Sequence, residues 1–169
     1  MAILNPEHLF EQADKLKVPP PHGPPRQVDL RRAISSAYYG VFHAVLAAAA
    51  NKFIGSTKQS SIQYSLVYRS VDHGALRRLC LEVKNAQASV KYRPYVPPDG
   101  FGTDIQSFAV AVLELQEKRH SADYDPSIRI RSSDAALAIN TARTALMHFE
   151  AASLAARDAF LSLLLFQPR

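Results

Sequence analysis

The sequence predicts an all-α fold, an up-down bundle of four to five helices with a long C-terminal helix, and three observations lead to this prediction. No segment sustains the alternation of apolar and polar residues that is typical of a half-buried strand. Apolar residues instead recur every three or four positions along most of the chain, which is the period of an amphipathic helix. The 169 residues, 47% hydrophobic and 21% charged, also suit one compact core.

The first 27 residues are interpreted as an N-terminal helix and a connector, and residues 28–169 as the bundle with its C-terminal extension. The first helix is expected from Pro6 to about Lys17, because Asn5 and Pro6 are favoured where helices begin. Five prolines then fall within seven residues, so residues 18–27 are expected to form a stiff, extended connector. A disordered hinge, which would leave the first helix loosely docked, is the alternative.

The second helix, expected from about Asp29 to Asn51, carries two different faces. One face is an apolar stripe that predicts core: Leu30, Ile34, Ala37, Tyr38, Val41 and Val45. The opposite face is a polar line: Arg32, Ser36, Tyr39 and His43. Tyrosine and histidine are less usual on a solvated helix face than glutamate and lysine, so this line is either plain surface or part of an interface or site.

A third helix is expected from about Ser60 to Gln87, bent near Asp72 to Gly74, and a long irregular connection follows it. The fourth helix begins at Thr103 or Asp104 and has a clear apolar stripe: Ile105, Phe108, Val112 and Leu115. The next position of that stripe is Arg119. A guanidinium there must either reach past the helix end or lie desolvated beside an anionic partner.

The last helix is expected to start at Ser132 or Ser133 and to continue without a break to about Phe166. About 34 residues at 1.5 Å each would make it roughly 50 Å long, more than the other helices can cover. Its overhang, Ala159 to Phe166, is strongly apolar. The pattern therefore predicts that the overhang docks against a second subunit or against the first helix.

Several well-known kinds of site are missing from the sequence. There is no glycine-rich phosphate loop, no His-Glu-x-x-His and no Cys-x-x-Cys pair, so we expect no cofactor and no bound metal. The single cysteine, Cys80, lies in a core pattern and favours a reducing cytoplasm. We expect a cytoplasmic protein with no secretory signal and no membrane association. The net charge of +5 permits binding to nucleic acid.

The remaining candidates for chemistry are polar residues near two helices: Tyr39, His43, Arg119, His120, Asp123 and Tyr124. Arginine can hold a phosphoryl oxygen and stabilise developing negative charge, and histidine titrates near neutrality. Such residues suit cleavage of RNA through its own 2′-hydroxyl, which needs no metal. The structural alternative is that Arg119 pairs with Asp123 or Asp125 and fixes the turn. The other histidines are interpreted as incidental: His8, His22, His73 and His148.

Two segments together resemble the HEPN superfamily. They are Arg31-Arg-Ala-Ile-Ser-Ser-Ala-Tyr-Tyr-Gly-Val-Phe-His-Ala44 and Arg119-His-Ser-Ala-Asp-Tyr-Asp125. More narrowly, the chain is similar to a prokaryotic branch that combines an Ala-Tyr-Tyr-x-x-Phe-His helix with an Arg-x-x-Ala-Asp-Tyr turn. The resemblance covers residues 28 to about 150. It implies a helical bundle that forms a homodimer, with the arginine motifs of the two subunits meeting at the two-fold interface.

The resemblance also implies an activity. Many HEPN proteins are metal-independent endoribonucleases of toxin–antitoxin or defence systems, often encoded beside a minimal nucleotidyltransferase. Arg119 matches their catalytic arginine and His120 the polar residue after it, whereas their second histidine is missing, since residues 124–126 are Tyr, Asp and Pro. The expected catalytic residues are therefore Arg119 with His120 or His43. The expected substrate-binding residues are Tyr39, Asp123, Tyr124 and Arg32.

A non-catalytic role is the alternative that the missing histidine leaves open. In that case the chain is an accessory subunit that binds a nucleotidyltransferase partner, a nucleotide or RNA. The resemblance also draws attention to Tyr124, because a tyrosine near this motif is modified with AMP in some family toxins. A purely structural dimer module is the third reading.

Overall fold

The fold is all-α, as predicted. The computed structural model describes residues 4–85 and 87–168. Residues 1–3, which belong to the N-terminal segment where we expect no secretory signal, lie outside the described residues. The described residues form seven α-helices and no β-strand. The helices are α1 Pro6–Leu16, α2 Gln27–Phe53, α3 Ile62–Tyr68, α4 His73–Val83, α5 Gly102–Tyr124, α6 Ser132–Ala151 and α7 Leu154–Leu165.

Helix α2 occupies the centre of the bundle and contacts α1, α3, α5, α6 and α7. The whole apolar stripe predicted for it is buried. Among the described helices, α2 is the one that is long and apolar enough to cross a bilayer, but 72% of its most apolar window is buried inside the protein. The composition of α2 is therefore explained by its place in the core.

Helix α1 is firmly docked, contrary to the alternative of a loose first helix. The Phe10 ring lies over Gly40 of α2 so closely that a Cβ at Gly40 would come within 2.7 Å of it. Arg143 of α6 pairs with Glu7 at 3.0 Å and with Asp14 at 2.7 Å. The short helix is thus held by both packing and charge.

The predicted third helix is in fact two helices. Helix α3 ends at Tyr68, and α4 begins at His73, where the Asp72 carboxylate accepts a hydrogen bond from the backbone N–H of Ala75. The residues between them break the helix rather than bend it. Helix α4 also ends at Val83, short of the predicted Gln87.

The single long C-terminal helix predicted from the sequence is wrong. Helix α6 ends at Ala151, because Ala152 and Ser153 have extended backbones, and the Ser153 hydroxyl accepts a hydrogen bond from the N–H of Ala156 to begin α7. Helix α7 folds back onto α2, α4 and α5. Phe160 is fully buried against Phe108. Most of the expected overhang is therefore covered by the chain's own core.

Candidate functional site

The predicted apolar stripe of α5 is buried, and Arg119 continues it as expected. The Arg119 side chain is only 12% exposed. Its guanidinium carbon lies 5.5 Å from the ring centroid of Tyr38 and 5.5 Å from that of Tyr39, both on α2. Cation–π attraction of this kind is stronger when the cation is desolvated. The two tyrosine rings thus lie against the Arg119 guanidinium and form an aromatic floor beneath it.

The carboxylate nearest to this charge is only loosely engaged. Nε of Arg119 lies 3.6 Å from Oδ2 of Asp123, beyond hydrogen-bonding distance, and it is buried without a hydrogen-bond partner. The other oxygen of Asp123 accepts a short hydrogen bond from the Ser35 hydroxyl. The terminal nitrogens of Arg119 make none of the described hydrogen bonds and are not among the buried unpaired atoms. They therefore reach solvent with donors to spare.

The turn after α5 is fixed by a residue that the sequence pattern did not indicate, Arg31 of α2. Its Nη1 donates to the carbonyl oxygens of Ala122 at 2.9 Å and Asp125 at 2.8 Å, and its Nη2 donates to that of Ile128 at 2.6 Å. The structural alternative assigned this task to Arg119. Arg119 does pair with Asp123, as that alternative states, but Arg31 supplies the hydrogen bonds that hold the turn. The sequence signal for this role of Arg31 was its position one helical turn before Ser35, whose hydroxyl donates to Asp123.

His73, interpreted from the sequence as incidental, belongs to the site. Its Nδ1 lies 2.8 Å from the Tyr38 hydroxyl, and its ring centroid is 4.0 Å from that of Phe42. Its backbone carbonyl accepts a hydrogen bond from Nε2 of Gln116 at 3.0 Å. Burial, and then the positive charge of Arg119, lower the pKa of His73. Nothing in linear spacing could have found this residue, because it comes from a separate helix.

Tyr39 and His43, both predicted, lie side by side on the half-buried face of α2. Their ring centroids are 6.3 Å apart, and Nδ1 of His43 lies 2.8 Å from the Tyr68 hydroxyl on α3. Burial lowers the pKa of His43. The centroid of the Tyr39 ring is also 5.5 Å from the guanidinium carbon of Arg119. The structure thus brings Tyr39 next to Arg119, and His43 next to Tyr39.

His120 and Tyr124 lie on the outer rim of the site. Their ring centroids are 5.0 Å apart, and Tyr124 is 66% exposed. A shallow depression of about 490 Å³ opens beside them, lined by Arg77, Gln116, Glu117, Arg119, His120 and Ser121. Arg77 adds a second guanidinium, held 3.5 Å from Glu117. This depression gives solvent and small anions access to Arg119.

The polar line predicted on α2 does not act as one unit. Ser36 is buried and donates to Gln12 of α1, so it belongs to the packing of α1. Arg32 is exposed and makes none of the described hydrogen bonds or ion pairs, so the structure does not bring it into the cluster around Arg119. The prediction of Arg32 as a substrate-binding residue therefore gains no support from these contacts.

A second concave surface lies between α5 and α6, with a volume of about 550 Å³. Its lining is mostly uncharged, and His148, which lines it, pairs with Asp104 at 2.8 Å. The candidate catalytic and binding residues lie instead around Arg119. In the described part of the chain, no three His, Cys, Asp or Glu side chains converge as metal ligands would.

Comparison with known proteins identifies no relative: no family model, no curated protein and no solved structure matches the chain. The function of the chain must therefore be inferred from the residues around Arg119.

Proposed function

We propose that this chain is a HEPN-like, RNA-directed protein that acts as a metal-independent endoribonuclease of a toxin–antitoxin or defence system. The observation that carries the proposal is the state of Arg119. It is a nearly buried cation that lies against two tyrosine rings, has no carboxylate within hydrogen-bonding distance and lines an open depression. A mostly buried charge whose paired carboxylate, Asp123, lies 3.6 Å away and outside hydrogen-bonding distance is incompletely compensated, and an anionic ligand would complete its pairing.

The geometry of the depression suits a phosphodiester. Arg119 offers its free terminal nitrogens, and Arg77, which lines the same depression and lies 3.5 Å from Glu117, adds a second guanidinium. A guanidinium binds two phosphoryl oxygens at once, and this contact strengthens as negative charge develops in the transition state. Because the aromatic floor holds the Arg119 guanidinium in place before the ligand arrives, little ordering is required on binding.

The reaction we propose is transfer of the phosphoryl group to the neighbouring 2′-oxygen. The 2′-hydroxyl loses its proton to a histidine as its oxygen bonds to phosphorus, and the bond from phosphorus to the 5′-oxygen breaks. The leaving 5′-oxygen takes up a proton from the protonated histidine or from water, so the products are a 2′,3′-cyclic phosphate and a free 5′-hydroxyl. His120 on the rim is the first candidate for the proton transfer, and His43 is the second.

Two copies of the chain are part of the proposal. In a homodimer whose two-fold axis passes the rim, a second Arg119 and His120 would face the first pair and enclose the shallow depression. Exposed Tyr124 lies at this rim, where it would contact either the second copy or a nucleotidyltransferase partner. A cytoplasmic location, where RNA is the available substrate, completes the proposal.

The test is cleavage of RNA by the purified protein in the presence of EDTA. Wild-type protein should cleave, and Arg119→Ala should lose the activity. The matched control is Arg157→Ala on α7, because Arg157 also has a buried Nε without a partner but lies outside the cluster. Equal cleavage by wild type and Arg119→Ala, or equal loss in both variants, would contradict the proposal.

A non-catalytic accessory role is the second candidate, and the observation that favours it is the sequence after Arg119. Positions 124–126 are Tyr, Asp and Pro, so the motif supplies no second histidine on the same helix. In this role the site binds RNA or a nucleotide and docks a nucleotidyltransferase without cleaving anything. It predicts stable co-purification with that partner and no growth arrest when the chain is expressed alone.

A further inference from the structure

The polar chain behind Arg119 suggests a role for His73. The chain consists of the Gln116 side chain, the Tyr38 hydroxyl and the His73 ring. Gln116 donates from Nε2 to the carbonyl oxygen of His73 at 3.0 Å, and burial raises the pKa of Tyr38 more than the Gln116 side chain lowers it. The hydroxyl in turn meets Nδ1 of His73 at 2.8 Å.

The hydrogen bond between Tyr38 and His73 has two directions open to it, one for each tautomer of the neutral His73 ring. Burial raises the pKa of Tyr38, so its hydroxyl keeps its proton. Burial and Arg119 lower the pKa of His73, so its ring is neutral near pH 7. A neutral ring accepts at Nδ1 when the Tyr38 hydroxyl donates, and in that tautomer the single ring proton of His73 lies on Nε2.

Nε2 of His73 is available to a ligand. It makes none of the described hydrogen bonds, and it is not among the buried unpaired atoms, which are Gln116 Oε1, Arg119 Nε and Arg157 Nε. It therefore has access to solvent. The His73 ring also lies beside the same two rings that carry the Arg119 guanidinium, with centroids 5.4 Å from Tyr38 and 5.7 Å from Tyr39.

We propose that His73 is a second anion-binding residue of this site, which donates its Nε2–H to a phosphoryl oxygen held by Arg119. This inference rests on the proposed function only in taking the ligand to be a phosphodiester. A neutral imidazole suits this position, because a protonated ring would lie beside the Arg119 charge in a partly desolvated cluster. A neutral imidazole held in one tautomer is an established way to polarise an oxygen of a substrate.

Binding of a 2′-O-methyl RNA oligonucleotide tests the proposal, because this probe carries phosphodiesters but cannot be cleaved through a 2′-hydroxyl. His73→Leu removes the donor and should weaken binding about tenfold, the typical effect of one hydrogen bond to a charged group. His73→Gln keeps an N–H near the position of Nε2 and should restore most of the affinity. His148→Leu, at a half-buried histidine on α6, is the control and should bind as wild type does.

A second measurement starts from the wild-type protein, so its main result does not depend on how the His73 variants fold. Nitrogen NMR of the wild-type protein should show the His73 proton on Nε2, and inorganic phosphate should shift that signal. Tyr38→Phe removes the donor to Nδ1 and should allow the other tautomer to appear. A proton on Nδ1 in the wild-type protein, or no shift with phosphate, would overturn the proposal.

The outcomes for His73 and for the nuclease are separable. If the oligonucleotide binds and His73→Leu weakens that binding, the proposal for His73 stands even where no RNA is cleaved. If RNA is cleaved and His73→Leu binds and cleaves as wild type does, the proposal for His73 fails and the nuclease remains. If wild-type protein does not bind the oligonucleotide, the nitrogen NMR signal of His73 decides between the outcomes. A shift of this signal with inorganic phosphate supports the proposal, and no shift overturns it.

Discussion

Arg143 and Arg119 differ in one respect that matters for function, although each arginine lies over an aromatic ring. Arg143 on α6 is 5.2 Å from the Phe10 ring centroid and is hydrogen-bonded to two carboxylates, Glu7 and Asp14. The hydrogen bond to Asp14, followed by that to Glu7, raises the pKa of Arg143. Arg119 lies over Tyr38 and Tyr39 with no carboxylate within hydrogen-bonding distance.

The difference separates a structural arginine from a candidate binding arginine. Arg143 is half exposed and fully engaged in joining α1 to α6, so it has little capacity left for a ligand. Arg119 is less exposed than Arg143 and less well paired. Without a ligand, such a buried and weakly paired charge contributes less to the stability of the fold than Arg143 does. Partial burial with unused donors, rather than the presence of an arginine, is therefore the feature that indicates a site.

The largest effect is expected on catalysis. Arg119→Ala should reduce RNA cleavage about 10²- to 10³-fold, as removal of one preorganised transition-state donor does in other enzymes. Arg143→Ala should leave the cleavage rate unchanged, because its side chain lies outside the depression. Rates measured on RNA in EDTA check both. If the two variants lose the same activity, the distinction between the two arginines is wrong.

The next effect is on the docking of α1. Gly40→Ala places a Cβ within 2.7 Å of the Phe10 ring, so it should destabilise the protein by about 1–3 kcal/mol through overpacking. The free energy of unfolding in urea measures this loss. Adding Phe10→Leu to Gly40→Ala should recover part of it, because the smaller side chain leaves room for the new methyl group. A double variant no more stable than Gly40→Ala would argue against this packing.

A smaller effect is expected from the charges on α1. Arg143→Ala removes two ion pairs whose members are all more than one-third exposed, and such pairs are weak in water. We expect a loss of about 1 kcal/mol or less in urea unfolding, and a still smaller loss at high salt because the charges are screened. A loss comparable to that from Gly40→Ala would show that charge, rather than packing, holds α1.

Local patterns explain which parts of this molecule the sequence could predict. The period of three and four residues gave the core faces of α2 and α5 and the unusual place of Arg119, because these depend on one helix at a time. The break before α7 was missed, although Ser153 is a good N-cap residue, because neither glycine nor proline marks it. His73 and Arg31 were missed because their roles depend on how α2, α4 and α5 pack together.

The smallest effect, and the most direct comparison of the two arginines, is on the pKa of His73. Arg119 from α5 and His43 from α2 lower this pKa after burial does, whereas Asp72 at the start of α4 raises it. Arg119→Ala should therefore raise the pKa of His73 toward the ordinary value of 6.5, and Arg143→Ala should not change it. Proton NMR of the His73 ring across a pH titration measures both.

The lowered pKa of His73 also makes the free energy of unfolding decrease as the pH falls below about 6.5. Because the folded-state pKa of His73 lies below 6.5, its neutral ring contributes stability that is present above about pH 6.5 and is lost as pH falls through the folded-state value. With the charge of Arg119 removed, the gap between the two pKa values narrows, so the acid loss in Arg119→Ala should be smaller than in wild type. Urea unfolding at pH 7.5 and 5.5 measures the slope, with Arg143→Ala as the comparison. An equal acid loss in wild type and Arg119→Ala would mean that the guanidinium does not act on His73, and the shared site over Tyr38 and Tyr39 would lose its electrostatic support.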